Sequence, residues 1–141
     1  MRIAPTLLAT FLLGALLPVA PTAAAACSGP DPALSAVKVA SVSTDGRGLN
    51  HYTIKVVVTN AGTAGQTAKV LQSVNVSHFD VKVDTKGIPP LRAGASYVWM
   101  YHFVRNAGAG KGTTTLQFAL DMHGNTGANC STSNDNYNLT F

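Results

Sequence analysis

Past residue 30, hydrophobic and polar positions alternate with a period of two along most of the chain. Tyr52, Ile54, Val56 and Val58 alternate with Thr53, Lys55, Val57 and Thr59, so one face of this segment is wholly apolar. That is the signature of a half-buried antiparallel strand, and Asn60-Ala61-Gly62 ends it with residues that tolerate positive φ. The same pattern predicts strands over Leu34–Val42, Lys69–Val76, Tyr97–Val104, Thr113–Met122 and Tyr137–Phe141. Glycine-, asparagine- and aspartate-rich stretches separate them, and no segment keeps a helical period over ten residues.

Two places break the simple pattern. Val70, Val74 and Val76 share one phase, whereas Phe79, Val81 and Val83 share the other. A bulge or tight turn near Ser77-His78 is expected, because a flat continuous strand would put one set into water. Asp84-Thr85-Lys86-Gly87 reads as a turn, and Ile88-Pro89-Pro90-Leu91 as edge or loop, since proline donates nothing to a ladder. About seven short strands with turns between them describe an all-β antiparallel β-sandwich.

The amino terminus reads differently. Arg2, an apolar run from Leu7 to Leu17 and the string Ala23-Ala24-Ala25-Ala26 make residues 1–26 a cleaved secretory signal peptide. The run is too short for the roughly 20 residues that span a bilayer. Residues 27–141 are then one small domain, secreted or periplasmic, with no transmembrane segment in the mature chain. Cys27 follows the alanines directly, and Cys130 is the other cysteine. An exported protein with two cysteines is read as carrying one disulfide; lipid anchoring through Cys27 is the alternative. A bridge between Cys27 and Cys130 closes a loop of about 100 residues, worth roughly 4–5 kcal/mol. In a sandwich whose first and last strands run side by side, both cysteines fall at the same end.

At this point the chain resembles a known family. Pro30-Asp31-Pro32, Val56-Val57-Val58-Thr59-Asn60-Ala61-Gly62, Leu91-Arg92-Ala93-Gly94-Ala95-Ser96 and Ser133-Asn134-Asp135-Asn136 fall in the order typical of CARDB domains. These are bacterial extracellular immunoglobulin-like modules associated with cell adhesion. The resemblance spans the mature chain and implies an immunoglobulin-like antiparallel β-sandwich of about seven strands that serves as a non-enzymatic binding module.

Charge and candidate chemistry narrow the choice further. The formal net charge is +4, but Lys38, Arg47, Lys55, Lys69, Lys82, Arg92, Arg105 and Lys111 are scattered without a basic run. A nucleic-acid surface is therefore not expected. His51, His78, His102 and His123, with Met100 and Met122, raise copper or zinc, making a small periplasmic metal protein the alternative reading. No Cys–His–Met ligand loop exists near the chain end, and two ligands at i and i+2 do not make a site, so no cofactor is expected. Nucleophilic hydrolysis lacks a local signature, and Asp80, Asp84 and Asp121 fall on solvent phases or in turns; no enzymatic activity is expected. Asn125, Asn129, Asn134, Asp135 and Asn136 offer oxygens with one formal charge, and are expected to cap turns rather than bind calcium.

The segment Tyr97–Val104 stands apart because both of its faces are apolar. One phase holds Tyr97, Trp99, Tyr101 and Phe103; the other holds Val98, Met100, His102 and Val104. With the aromatic set inside, Val98, Met100, His102 and Val104 form an outer stripe for a protein or glycan partner, or for assembly with further copies. With the aromatic set outside, the ladder is a stacking platform for sugars. A loop such as Ile88-Pro89-Pro90 lying over the strand would leave neither.

Overall fold

The computed structural model describes residues 28–109 and 113–141; the signal-peptide assignment and Cys27 lie outside them. Seven strands follow in chain order: β1 (Pro32–Thr44), β2 (Leu49–Asn60), β3 (Gln72–His78), β4 (Val81–Ile88), β5 (Ser96–Asn106), β6 (Thr115–Asp121) and β7 (Asn136–Thr140). They form a three-stranded sheet in the order β1-β2-β5 and a four-stranded sheet in the order β4-β3-β6-β7. Every pairing is antiparallel. The antiparallel β-sandwich expected from the alternation, immunoglobulin-like as the resemblance implies, is what the chain forms.

The core lies between the sheets. Leu34, Val37, Ile54, Val56, Val58 and Tyr101 face Val74, Val76, Ile88, Leu116, Phe118 and Leu120, all of them buried. At one end an aromatic cluster closes the interior: Tyr52 packs on Phe141 with ring centroids 4.6 Å apart, and Phe103 sits edge-on to Phe141 at 6.0 Å. Edge-to-face and tilted contacts of this kind suit the ring quadrupoles.

β1 shows how sequence spacing sets local geometry. Leu34, Val37, Val39 and Val42 are spaced three, two and three residues apart, which a regular pleat cannot place on one face. The pairing with β2 shifts between Leu34 and Ala36 and again between Val39 and Ser41. The first shift lets both Leu34 and Val37 reach the core; the second sets Val42 opposite Tyr52, though Val42 itself stays exposed. Both lie on an edge strand, where bulges are tolerated.

The reversal near Ser77-His78 is a two-residue hairpin. His78 pairs with Val81, and Phe79 and Asp80 between them have φ of 50° and 61°. Two positive φ values match a type I′ turn, which complements strand twist but favours Asn-Gly over Phe-Asp. A further register shift separates Val76 from Ser77.

Three expectations are corrected here. Asp84-Thr85-Lys86-Gly87 is not a turn; it lies inside β4, paired with Val76, Asn75, Val74 and Ser73. Ladder pairing with β3 outweighs turn-forming composition once the hairpin has already reversed the chain. Phe79, Val81 and Val83 do not return to the core but remain exposed, because β4 is the outermost strand of its sheet. The strand expected from Lys69 begins only at Gln72, and Val70 is buried from the preceding loop.

Candidate functional site

The outer face of the β1-β2-β5 sheet is the most distinctive surface. β2 decides which side of β5 faces inward: Ile54 pairs with Tyr101 and Val56 with Trp99, and residues directly opposite share a face. Since Ile54 and Val56 are fully buried, the aromatic set goes inside with them. Tyr101 is buried against Phe118, and burial, with the Asp84 charge adding to it, pushes its phenol pKa up. Val98, Met100 and Val104 are left outside, 50%, 47% and 48% exposed, and His102 is exposed beside them.

The rows across this face are in register. Ala36, Val57 and Val98 make an apolar row; Lys38, Lys55 and Met100 make the next. Thr53 then meets His102, with Oγ1 and Nδ1 3.5 Å apart. An aliphatic stripe thus runs along β5, flanked by two lysines on β1 and β2. β5 is also an edge strand, and among the described residues no further strand pairs along its outer side. The segment Ile88-Pro89-Pro90 does not cover the stripe; it lines a groove with residues of the other sheet.

That groove, of about 700 Å³, is bounded by Val70, Leu71, Ile88, Pro89, Pro90 and His123 among others. At its wall Ser73 Oγ and His123 Nε2 are 2.9 Å apart, and His123 Nδ1 lies 3.8 Å from Asp121 Oδ2. The residue types are those of a hydrolytic triad, yet the geometry differs. The Nδ1 distance is too long for a hydrogen bond, and Asp121 Oδ1 instead accepts the His123 backbone N–H at 2.8 Å. That bond, with the His123 charge, lowers the Asp121 pKa. Ser73 is only 3% exposed and sits mid-ladder between Gly87 and Asp121. An acyl-transfer site needs spare N–H groups aimed at an oxyanion beside the nucleophile. A mid-strand serine, with neighbours paired on both sides, does not present them.

The other histidines are separately engaged. His51 Nε2 meets Asp45 Oδ2 at 3.0 Å, and His78 Nε2 meets Thr114 Oγ1 at 2.9 Å. Among the described residues no three His, Cys, Asp or Glu side chains gather as a metal-binding group. Met100 points outward and Met122 packs against the core.

Sequence patterning does not anticipate Phe79, which is 82% exposed at the β3–β4 hairpin tip and stacks on His78 with centroids 4.1 Å apart. Nor does it reveal the buried carboxylates at the opposite end. Asn129 Nδ2 donates to both oxygens of Asp135, at 2.9 and 3.0 Å, and Asn134 Nδ2 to both oxygens of Asp31, at 3.3 and 3.2 Å. Asn125 Nδ2 donates to the carbonyl oxygens of Met122 and Leu71, as expected of a turn-capping amide.

Comparison with known proteins agrees with the fold. The sequence matches no family model and no curated protein. Its structure is similar to a domain, solved in solution by NMR, of a Methanosarcina acetivorans protein described as a cell surface protein. The two share 17% identity with a TM-score of 0.55, over 79% of this chain and 90% of that one. At that identity the likeness is one of fold. No helix among the described residues is long and apolar enough to cross a membrane.

Proposed function

We propose that this protein is an exported, non-enzymatic binding module of the CARDB kind, which takes a protein partner on the outer face of β1-β2-β5 and along the edge of β5. One observation carries the choice: the aromatic residues of β5 face inward, while Val98, Met100 and Val104 stand half exposed on a strand at the edge of its sheet. Sugars stack on aromatic faces, whereas an aliphatic stripe along an edge strand suits an added strand with apolar side chains. Lys38 and Lys55 on the same face favour a partner carrying acidic residues beside that strand.

Export and a Cys27–Cys130 bridge belong to the same proposal. The Cys130 backbone N–H donates to the Pro30 carbonyl at 3.0 Å, which brings Cys130 close to the segment just after Cys27. Cys130 is also not a free thiol.

The purified domain should bind the envelope fraction of its source cells. The double variant Val98→Lys, Met100→Lys should bind at least tenfold more weakly, with stability within about 0.5 kcal/mol of wild type, because both positions are exposed. Val83→Lys on the opposite sheet should bind normally. Equal binding by all three proteins overturns the assignment.

A further inference from the structure

The β3–β4 hairpin carries an apolar knob at one end and an apolar groove at the other. The knob is the two-residue turn. Phe79 is the most exposed large hydrophobic side chain among the described residues, and Val81 beside it is exposed too. The backbone holds Phe79 at a φ of 50°, a conformation in which a bulky side chain is an outlier. Strain of this kind gathers where a residue is presented for use. The groove lies where the same two strands end. Gln72 pairs with Ile88 and Ser73 with Gly87 there, and these four residues line the groove of about 700 Å³ together with Leu71 and Pro90. From Ser73 to Phe79 the strand runs about 20 Å, at roughly 3.3 Å per residue.

The two ends match in polarity and in charge. The groove walls are mainly aliphatic and prolyl, and its Ser73 and His123 side chains already meet each other at 2.9 Å. An apolar ring entering it therefore strips neither of them of its partner. Asp80 shares the tip with Phe79 and is exposed, while the exposed Lys69 stands between the lining residues Ala68 and Val70. Among the described residues neither Asp80 nor Lys69 takes part in an ion pair. The acid beside His123 is engaged: Asp121 Oδ1 accepts the His123 N–H at 2.8 Å, and Oδ2 accepts from the Asn75 amide at 3.4 Å. A tip carrying a carboxylate thus meets a groove carrying an ammonium group.

We propose that the Phe79 tip of one molecule docks in the groove of a second copy, with Asp80 beside that copy's Lys69, joining the chains head to tail. A cavity of about 150 Å³ holds a benzene ring, so the groove has room for Phe79 and the residues that flank it. Knob and groove are different surfaces, which makes the contact heterologous. Because they lie at opposite ends of one hairpin, each docking leaves a knob and a groove open, and the assembly grows as a filament instead of closing as a dimer. Phenylalanine buries about 150–250 Å², far below the roughly 1,600 Å² of a standard interface. The contact is therefore weak and forms where chains are concentrated. β5 belongs to the other sheet, so its proposed partner does not compete.

The test is sedimentation of the mature chain from about 10 μM to about 1 mM, the range of a weak contact. The average mass should rise with concentration and pass that of a dimer. Phe79→Asn removes the knob, and Leu71→Asp puts a charge in the groove that repels Asp80; each alone should associate at least tenfold more weakly. Both positions are exposed, so both variants should keep the native fold and a Tm close to that of wild type. Mixed one to one, they should form a dimer and go no further, because only one intact knob and one intact groove remain to meet. Wild type that stays monomeric throughout overturns the proposal. So does association that survives either substitution, or a mixture that stays monomeric; the loss of association in Phe79→Asn alone would place the ring on another surface.

Discussion

The side chain of Asn60 accepts the backbone N–H of Asp31 at 2.9 Å, joining positions 29 residues apart. Its Oδ1 also accepts the Gly62 N–H at 3.1 Å, and its Nδ2 donates to the carbonyls of Ala64 and Leu91 at 2.9 and 3.0 Å. Asn60 is fully buried, yet both ends of its amide are satisfied. It ties the chain entry, the end of β2 and the approach to β5 together. Asn60→Ala leaves several of these backbone groups without a partner in the interior, each worth about 1–3 kcal/mol. Urea unfolding should show a loss of about 3 kcal/mol or more, with the native far-ultraviolet β signal retained.

Gly62 supports the same junction by having no side chain. A Cβ placed there would lie 2.0 Å from the Gly29 carbonyl oxygen and 2.6 Å from the Asp31 nitrogen, both backbone atoms. Neither can swing away as a side-chain tip would. Gly62→Ala should destabilise the domain by about 2 kcal/mol, in the range of core overpacking. Hydrogen exchange should locate the lost protection at residues 29–31 and 60–64.

The β3–β4 hairpin offers the opposite change. Phe79 and Asp80 occupy positive-φ positions that Asn and Gly adopt at lower cost. The double variant Phe79→Asn, Asp80→Gly should raise stability by about 1 kcal/mol, as relief of backbone strain usually does. A lowered Tm would mean that the Phe79–His78 stacking outweighs the turn.

Acid stability follows from two surface aspartates. Hydrogen bonds from His51 and from the Leu49 and Arg47 backbones lower the Asp45 pKa below its ordinary value of 3.8. The His123 backbone N–H does the same for Asp121. A carboxylate whose folded pKa is depressed contributes stability present above about pH 4, and that contribution is lost as pH falls through the folded value. Thermal melts between pH 5 and pH 2 should therefore show a falling Tm. Asp45→Asn should flatten the acid limb while changing little at neutral pH beyond the loss of the exposed His51 contact.

The proposed bridge has a direct chemical readout. Denatured mature protein should contain no titratable thiol, and Cys130→Ser should lower stability by about 4 kcal/mol through the longer loop freed in the unfolded chain. Two reactive thiols in the oxidised, secreted protein would refute the bridge.

Much of this fold is legible in the order of residues. The alternation at Ile54, Val56 and Val58, and at Leu116, Phe118 and Leu120, is strict enough that only one face can be buried. The first strand, Leu34–Val42, is legible too, but the bulge that lets Leu34 and Val37 share the core is seen only in the pairing with β2. Where local preference and pairing disagree, pairing prevails: Asp84-Thr85-Lys86-Gly87 is turn-like in composition but is held extended by β3.

The strand from Tyr97 to Val104 marks where patterning stops. Both faces are apolar, so burial energy alone does not choose between them. Register with β2 breaks the tie by setting Trp99 and Tyr101 opposite the buried Val56 and Ile54. The contact between the Asn134 amide and the Asp31 carboxylate lies further beyond reach of the sequence, because the two meet across 103 residues. Period-two burial is a short-range property, written wherever a strand is written. The environment of a polar side chain depends on which distant segments the packed sheets bring to it, and that is settled only when the two ends of the chain close on one another.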